Sequence, residues 1–249
     1  MFVNPGLKVE NELIESLNNK KVSELSNNLK HLIVHIFPNV QLNDVILAEH
    51  CDPRGKPDIK LSVNNEVHFM SVKSGQSKSI HAEDIVKFVD YLIDKNISQE
   101  TIDTILMYQY GDGTTDGTGK KRLDYDELFP VLSKRIKKAN EELNEYNDFV
   151  INFIDKVLFK GNFNDLPEAD CIYHGNIEYG VVCTKRQIIK HLRRRNYDYM
   201  HNLHIGPVQF RPYARYINFI ERNPEKRKIS SFAIQSYTEI FENHAETVV

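Results

Sequence analysis

The chain has 249 residues, 41% of them hydrophobic and 27% charged, enough to bury a sizeable core in one large domain or two small ones. A net charge of −3 excludes capture of a polyanion by the overall field, so such a partner must be met by local basic patches. Three cysteines, Cys51, Cys171 and Cys183, form no Cys-x-x-Cys pair and argue against a disulfide framework, which points to a reducing compartment.

The first residues, MFVNPGLKVENELIE, carry acids early and lack an apolar core, so no signal peptide is expected. No apolar run approaches the roughly 18 residues needed to span a membrane, and a cytoplasmic location is expected. The spacing of Leu25, Leu29, Leu32, Ile33 and Ile36 predicts a helix over 22–37, stopped by Pro38. Strands are predicted at 44–50, 58–63 and 66–73, the last two joined by Asn64-Asn65, which suits a two-residue hairpin because Asn tolerates positive φ. Residues 81–94 read as an amphipathic helix, and 102–109 (IDTILMYQ) as a buried strand. A strand-helix-strand crossover favours a mixed sheet flanked by helices, in the α/β (α+β) class. Beyond residue 110 come a glycine-rich loop, helices over 126–139 and 140–158, short strands at 179–183 and 207–211, and a helix at 185–195.

The hairpin stretch KPDIKLSVNNEVHFMSVKSG is the part of the chain that suggests chemistry. Phosphodiester hydrolysis needs a divalent cation to polarise the phosphate, a generated hydroxide and neutralisation of the leaving oxygen. Carboxylate oxygens suit Mg²⁺, and Asp58 beside the hairpin projects one. Strand alternation puts Ser71 and Lys73 on one face, with the Val72 carbonyl at the strand edge. A lysine there orients attacking water or stabilises developing negative charge. Ser71, however, leaves the local negative charge low.

Pro57-Asp58 followed by Ser71-Val72-Lys73, set in a helix-strand-strand-strand-helix-strand order, resembles the PD-(D/E)XK nuclease superfamily. The resemblance covers about residues 20–110. It implies a restriction-endonuclease-like core with a C-terminal α/β extension, in a single domain over 1–249 whose residues 111–249 form a helical, DNA-contacting elaboration. It also implies Asp58 and the Val72 carbonyl as Mg²⁺ ligands and Lys73 as the catalytic lysine. A subgroup of type II restriction enzymes carries Ser or Thr before the lysine and takes its missing carboxylate from the following helix. In this chain that points to Glu83, expected as both a catalytic residue and a metal ligand, with Asp84 beside it. Glu49 on the preceding strand is the second candidate, and Glu24 is an accessory one. The implied activity is Mg²⁺-dependent cleavage of double-stranded DNA by a homodimer whose two centres are related by a two-fold axis. The rival readings are an inactive DNA-binding module of the same fold, and a nuclease acting on RNA or on branched or modified DNA.

Further along, KRQIIKHLRRR (185–195) supplies Lys185, Arg186, Lys190, Arg193, Arg194 and Arg195 as candidate phosphate contacts. The loop GDGTTDGTGKKR departs from the Walker and EF-hand patterns, and it reads either as a segment that orders on DNA or as an ordinary connection. Cys171, His174, Cys183 and His191 have irregular spacing for zinc. The aromatic and arginine-rich GPVQFRPYARYINF suits a DNA groove or a subunit interface equally.

Overall fold

A computed structural model describes residues 5–74, 79–119, 121–192, 202–214 and 222–234. In chain order the elements are α1 (Pro5–Leu17), β1 (Lys20–Lys21), a 3₁₀ turn (Val22–Glu24), α2 (Asn27–Ile36), β2 (Val45–His50), β3 (Ile59–Val63) and β4 (Glu66–Lys73). There follow β5 (Ser79–Asp84), α3 (Ile85–Asp94), α4 (Gln99–Tyr110), α5 (Tyr125–Leu143), α6 (Asn147–Asp155) and a π-helical turn (Lys156–Lys160). The last elements are β6 (Cys171–Gly175), β7 (Gly180–Thr184), α7 (Lys185–Leu192), β8 (His204–Ile205), β9 (Val208–Pro212), a 3₁₀ turn (Pro224–Lys228) and β10 (Ile229–Ile234). They belong to two units, one drawn from Met1–Ser77 and Asp155–His191, the other from Lys78–Ile154 and Leu192–Gln235. Mixed helix and sheet content places the chain in the α+β class.

The first unit is built on a six-stranded sheet in the order β1-β2-β3-β4-β6-β7. The β4–β6 pair is parallel and the others are antiparallel, so the sheet is mixed. Alternation decides its buried face: Ile46 and Ala48, then Ile59, Leu61 and Val63, then Met70 and Val72 form one layer. Leu13 and Leu17 of α1 and Leu29, Leu32, Ile33 and Ile36 of α2 join them in one apolar cluster. The β3–β4 hairpin forms as expected, with Val63 opposite Glu66 and Asn64 taking φ 53° in the two-residue turn. Its parallel neighbour is β6, so the crossover closes far downstream of residue 110.

The second unit carries a four-stranded antiparallel sheet in the order β5-β10-β9-β8. Its core is aromatic: the Phe88 ring lies 5.0 Å from Phe232 and 5.6 Å from Phe210, and Phe153 lies 5.3 Å from Phe232. Phe210 and Val208 of the arginine- and aromatic-rich stretch are therefore core residues.

Three sequence expectations are corrected. Residues 102–109 are helical, within α4. Ser98 caps the helix by accepting from Thr101 N–H at 3.3 Å, and Gly111 ends it at φ 64°, where a residue without Cβ is unstrained. Its buried residues Thr101, Ile102, Thr104, Ile105 and Tyr108 recur at helical spacing rather than in alternation. The helix expected over 81–94 begins only at Ile85, because residues 79–84 pair with β10 and Asp84 becomes the cap, accepting from Val86 N–H at 2.8 Å. The helix expected over 22–37 covers 27–36, since Ser26 supplies its cap. Among the described residues, no helix is long and apolar enough to cross a membrane.

Candidate functional site

Asp58 lies immediately before β3, and its N–H donates to the Met70 carbonyl at 2.8 Å, so the backbone is tied to β4. Its carboxylate turns onto the same strand: Oδ2 accepts from Ser71 Oγ at 3.0 Å and from Val72 N–H at 2.6 Å. Ser71 is fully buried, with 0% exposure. The backbone there is held on one edge through Ser71–Ile172 and Val72–Tyr173 of β6, while the pairing with β3 on the other edge ends one residue earlier, at Ile59–Met70. Lys73, two residues on, ends the strand half-buried opposite His174.

Sequence reasoning missed one residue of this group, Glu10 on α1. Burial raises its pKa, repulsion from Asp58 raises it further, and His50 and Lys73 partly offset both. Asp58, Lys73 and His50 therefore lie within charge–charge reach of Glu10, in one unit. His50 at the end of β2 bonds through Nε2 to Asn11 Oδ1 at 2.8 Å, which ties the neighbouring turn of α1 to the sheet. The Cys51 thiol next to it is pushed up to about 11 by burial, with Asp58 and Glu49 adding to the effect. Asp58 thus acts electrostatically on both Glu10 of α1 and Cys51 just after β2. The available signal was helical: Val9, Leu13 and Leu17 recur every four residues, with Glu10 at the margin of that stripe.

The other expected ligands are placed as follows. Glu49 faces Lys60 across the β2–β3 pair, Oε1 to Nζ 2.6 Å, with 64% of its side chain exposed. Glu83 lies on β5 in the second unit rather than on a helix. Its side chain is buried there, and Oε2 stands 3.8 Å from His81 Nε2. Val72 spends its N–H on Asp58. Glu24 accepts from Lys21 N–H at 2.8 Å in the 3₁₀ turn and is exposed.

Mg²⁺ prefers hard oxygen ligands, and sites of one or two carboxylates with several retained waters are ordinary for it. Asp58 and Glu10 fit that pattern in donor chemistry, since two carboxylates within charge–charge reach of each other are relieved by a cation. Among the described residues no group of three His, Cys, Asp or Glu side chains stands ready to hold a metal. Any Mg²⁺ would accordingly be held by these two carboxylates and water. Zinc is disfavoured by register: Cys183 pairs with Ile172 and Cys171 with Thr184, so the two thiols point to opposite faces of the sheet.

The basic helix divides in two. Lys185 reaches Asp155 at 2.5 Å and Glu168 at 2.8 Å, with its ammonium 5.5 Å from the Phe159 ring centroid. Arg186 and Lys190 are exposed, four residues apart on one helix face. Arg193, Arg194 and Arg195 lie outside the described residues.

The glycine-rich loop is held by its own bonds. Asp112 accepts from Thr114 N–H at 3.0 Å and Oγ1 at 2.7 Å and meets Arg227 at 2.6 Å. Buried Arg122 closes onto the Gln109 and Tyr108 carbonyls. No family model matches the sequence, and no curated protein matches it either.

Proposed function

We propose that the chain is a Mg²⁺-dependent endonuclease of restriction-enzyme type acting on double-stranded DNA. One observation carries the reading: Asp58, anchored to β4 beside Lys73, shares its surroundings with a second carboxylate, Glu10, of raised pKa. The order of elements in the first unit, with helices preceding the β2-β3-β4 meander and β4 parallel to β6, supports a restriction-endonuclease-like core.

A Mg²⁺ held by Asp58 and Glu10 would polarise the phosphate and favour hydroxide at neutral pH. The chain's own side chains do the rest. Asp58 is held in a single orientation by two donors. Glu10 supplies the charge that Ser71 lacks. Lys73 orients the attacking water or stabilises charge developing on the phosphate. Arg186 and Lys190 offer phosphate contacts that add affinity without sequence choice. A homodimer would present two such centres to the two strands.

A second reading, a DNA-binding module without cleavage, is favoured by a different observation: the Asp58 oxygen facing β4 already accepts two hydrogen bonds. A supercoiled-plasmid digest in Mg²⁺ or EDTA separates the two. The proposed function predicts Mg²⁺-dependent nicking that is lost in Asp58→Ala and Lys73→Ala. DNA binding without nicking under any divalent cation would favour the module, and preference for single-stranded RNA or branched DNA would redirect the substrate.

A further inference from the structure

Ser71 occupies the position at which the resembled nucleases carry an acid, and its geometry gives it a different task. We propose that Ser71 is a positioning residue for Asp58: it clamps one carboxylate oxygen so that the other is presented to a divalent cation. This rests on the proposed nuclease centre and adds to it a role for the residue that departs from the acidic motif.

Three observations carry the inference. Ser71 is fully buried, paired with Ile172 of β6 and directly after Met70, the last β4 residue paired with β3, so its hydroxyl has a fixed origin. Its Oγ lies 3.0 Å from Asp58 Oδ2, and because an ionised carboxylate only accepts, the serine is the donor. Val72 N–H reaches the same oxygen at 2.6 Å. Two donors on one oxygen fix both the position and the rotation of the carboxylate, whereas either alone would leave it free to pivot. Both of these donors act on Oδ2, so Oδ1 is the oxygen this assignment gives to a cation. A carboxylate held in its binding orientation loses less freedom on capture, so such supporting bonds strengthen metal affinity.

The hydroxyl, neutral, buried and donating to Asp58, supports that carboxylate and does not supply the negative charge of the missing acid. An acid at position 71 would instead place a third negative charge against Asp58 and Glu10.

The test is Mn²⁺ affinity of the full-length protein without DNA, read from the electron paramagnetic resonance signal of free Mn²⁺, together with thermal melting. Wild type is expected to take up Mn²⁺ and Asp58→Ala to lose it. Ser71→Ala should weaken binding about 10-fold while still melting cooperatively. Ser71→Thr, which keeps the hydroxyl, should recover most of that loss; Ser71→Cys, of similar size but a weak donor, should behave like the alanine variant. Unchanged affinity in Ser71→Ala, or equal loss in the threonine and alanine variants, would overturn the positioning role while leaving the cation centre intact. No Mn²⁺ uptake by the wild type would overturn both.

Discussion

Lys185 offers the sharpest test of reading charge in context, because a basic run suggests DNA contact while the structure commits this member elsewhere. Its ammonium sits 2.5 Å from Asp155 Oδ1 and 2.8 Å from Glu168 Oε2, and the Asp155 side chain is only 13% exposed. At an effective dielectric constant of about 20, a pair at this separation is worth about 7 kcal/mol before desolvation and side-chain ordering are subtracted. Glu168 is nearly half exposed and adds less than about 1 kcal/mol. Lys160 still faces Asp155 at 2.9 Å in a variant, which softens the loss. Lys185→Met should therefore cost about 2 kcal/mol and lower Tm by about 4–8 °C. The pH dependence has a definite sign. Burial lowers the Lys185 pKa, but bonds to Asp155 and Glu168 outweigh it and raise the value above the ordinary 10.5. The stabilisation is then fully present below pH 10.5 and is lost only as pH rises through the raised value. Thermal melts of wild type and variant at pH 7, 9 and 11, alongside fluorescence-anisotropy titration with a DNA duplex, measure both sides. An unchanged Tm combined with weaker DNA binding would refute the reasoning and make Lys185 a phosphate contact.

Arg186→Ala with Lys190→Ala should leave Tm within about 2 °C and weaken duplex binding for all sequences alike, reducing the slope of log K against log salt by about 1–2. An unchanged salt slope would show this helix face to be merely solvated. Glu142, on α5, accepts from Ser98 N–H, Ser98 Oγ and Thr101 Oγ1 at 2.7, 2.6 and 2.5 Å, tying down the first turn of α4. Burial raises its pKa, but those bonds outweigh it and hold the value below 4.5. Glu142→Ala should thus cost about 2 kcal/mol above that pH, a difference that fades as acid protonates the folded carboxylate. Urea melts at pH 7 and pH 3 showing equal differences would contradict this. Buried Gln109 donates to the Arg227 and Ile229 carbonyls at 2.6 and 3.0 Å. Gln109→Leu removes the donor to the Arg227 carbonyl, while the Ile229 carbonyl keeps its bond from Tyr213 N–H at 3.0 Å, and should cost about 2 kcal/mol in the same assay.

Local pattern carried the hairpin well, because β3 buries alternate residues and Asn64-Asn65 marks the turn between two such runs. It failed at α4, where Ile102, Ile105, Leu106 and the threonines resemble a buried strand by composition. Ser98 and Gly111, the cap residues, were the better guide. The β4–β6 pairing leaves no local mark, since a parallel partner is set by tertiary packing and here comes only after the first segment of the second unit, Lys78–Ile154. Of the candidate centre, Asp58, Ser71 and Lys73 were legible because they share one hairpin. Glu10 was not, because helix α1 joins the site through three-dimensional packing. The acids near residue 83 drew attention only because they are adjacent in sequence to the expected helix start.

The central claim is that α1 provides the second carboxylate of a cation-dependent centre at Asp58. Its most direct test is the rate of Mg²⁺-dependent plasmid cleavage by Glu10→Gln, with melting checked in parallel. Loss of that charge should slow cleavage at least about 100-fold while Tm stays near the wild-type value. Cleavage by wild type that is undiminished in Glu10→Gln would contradict it.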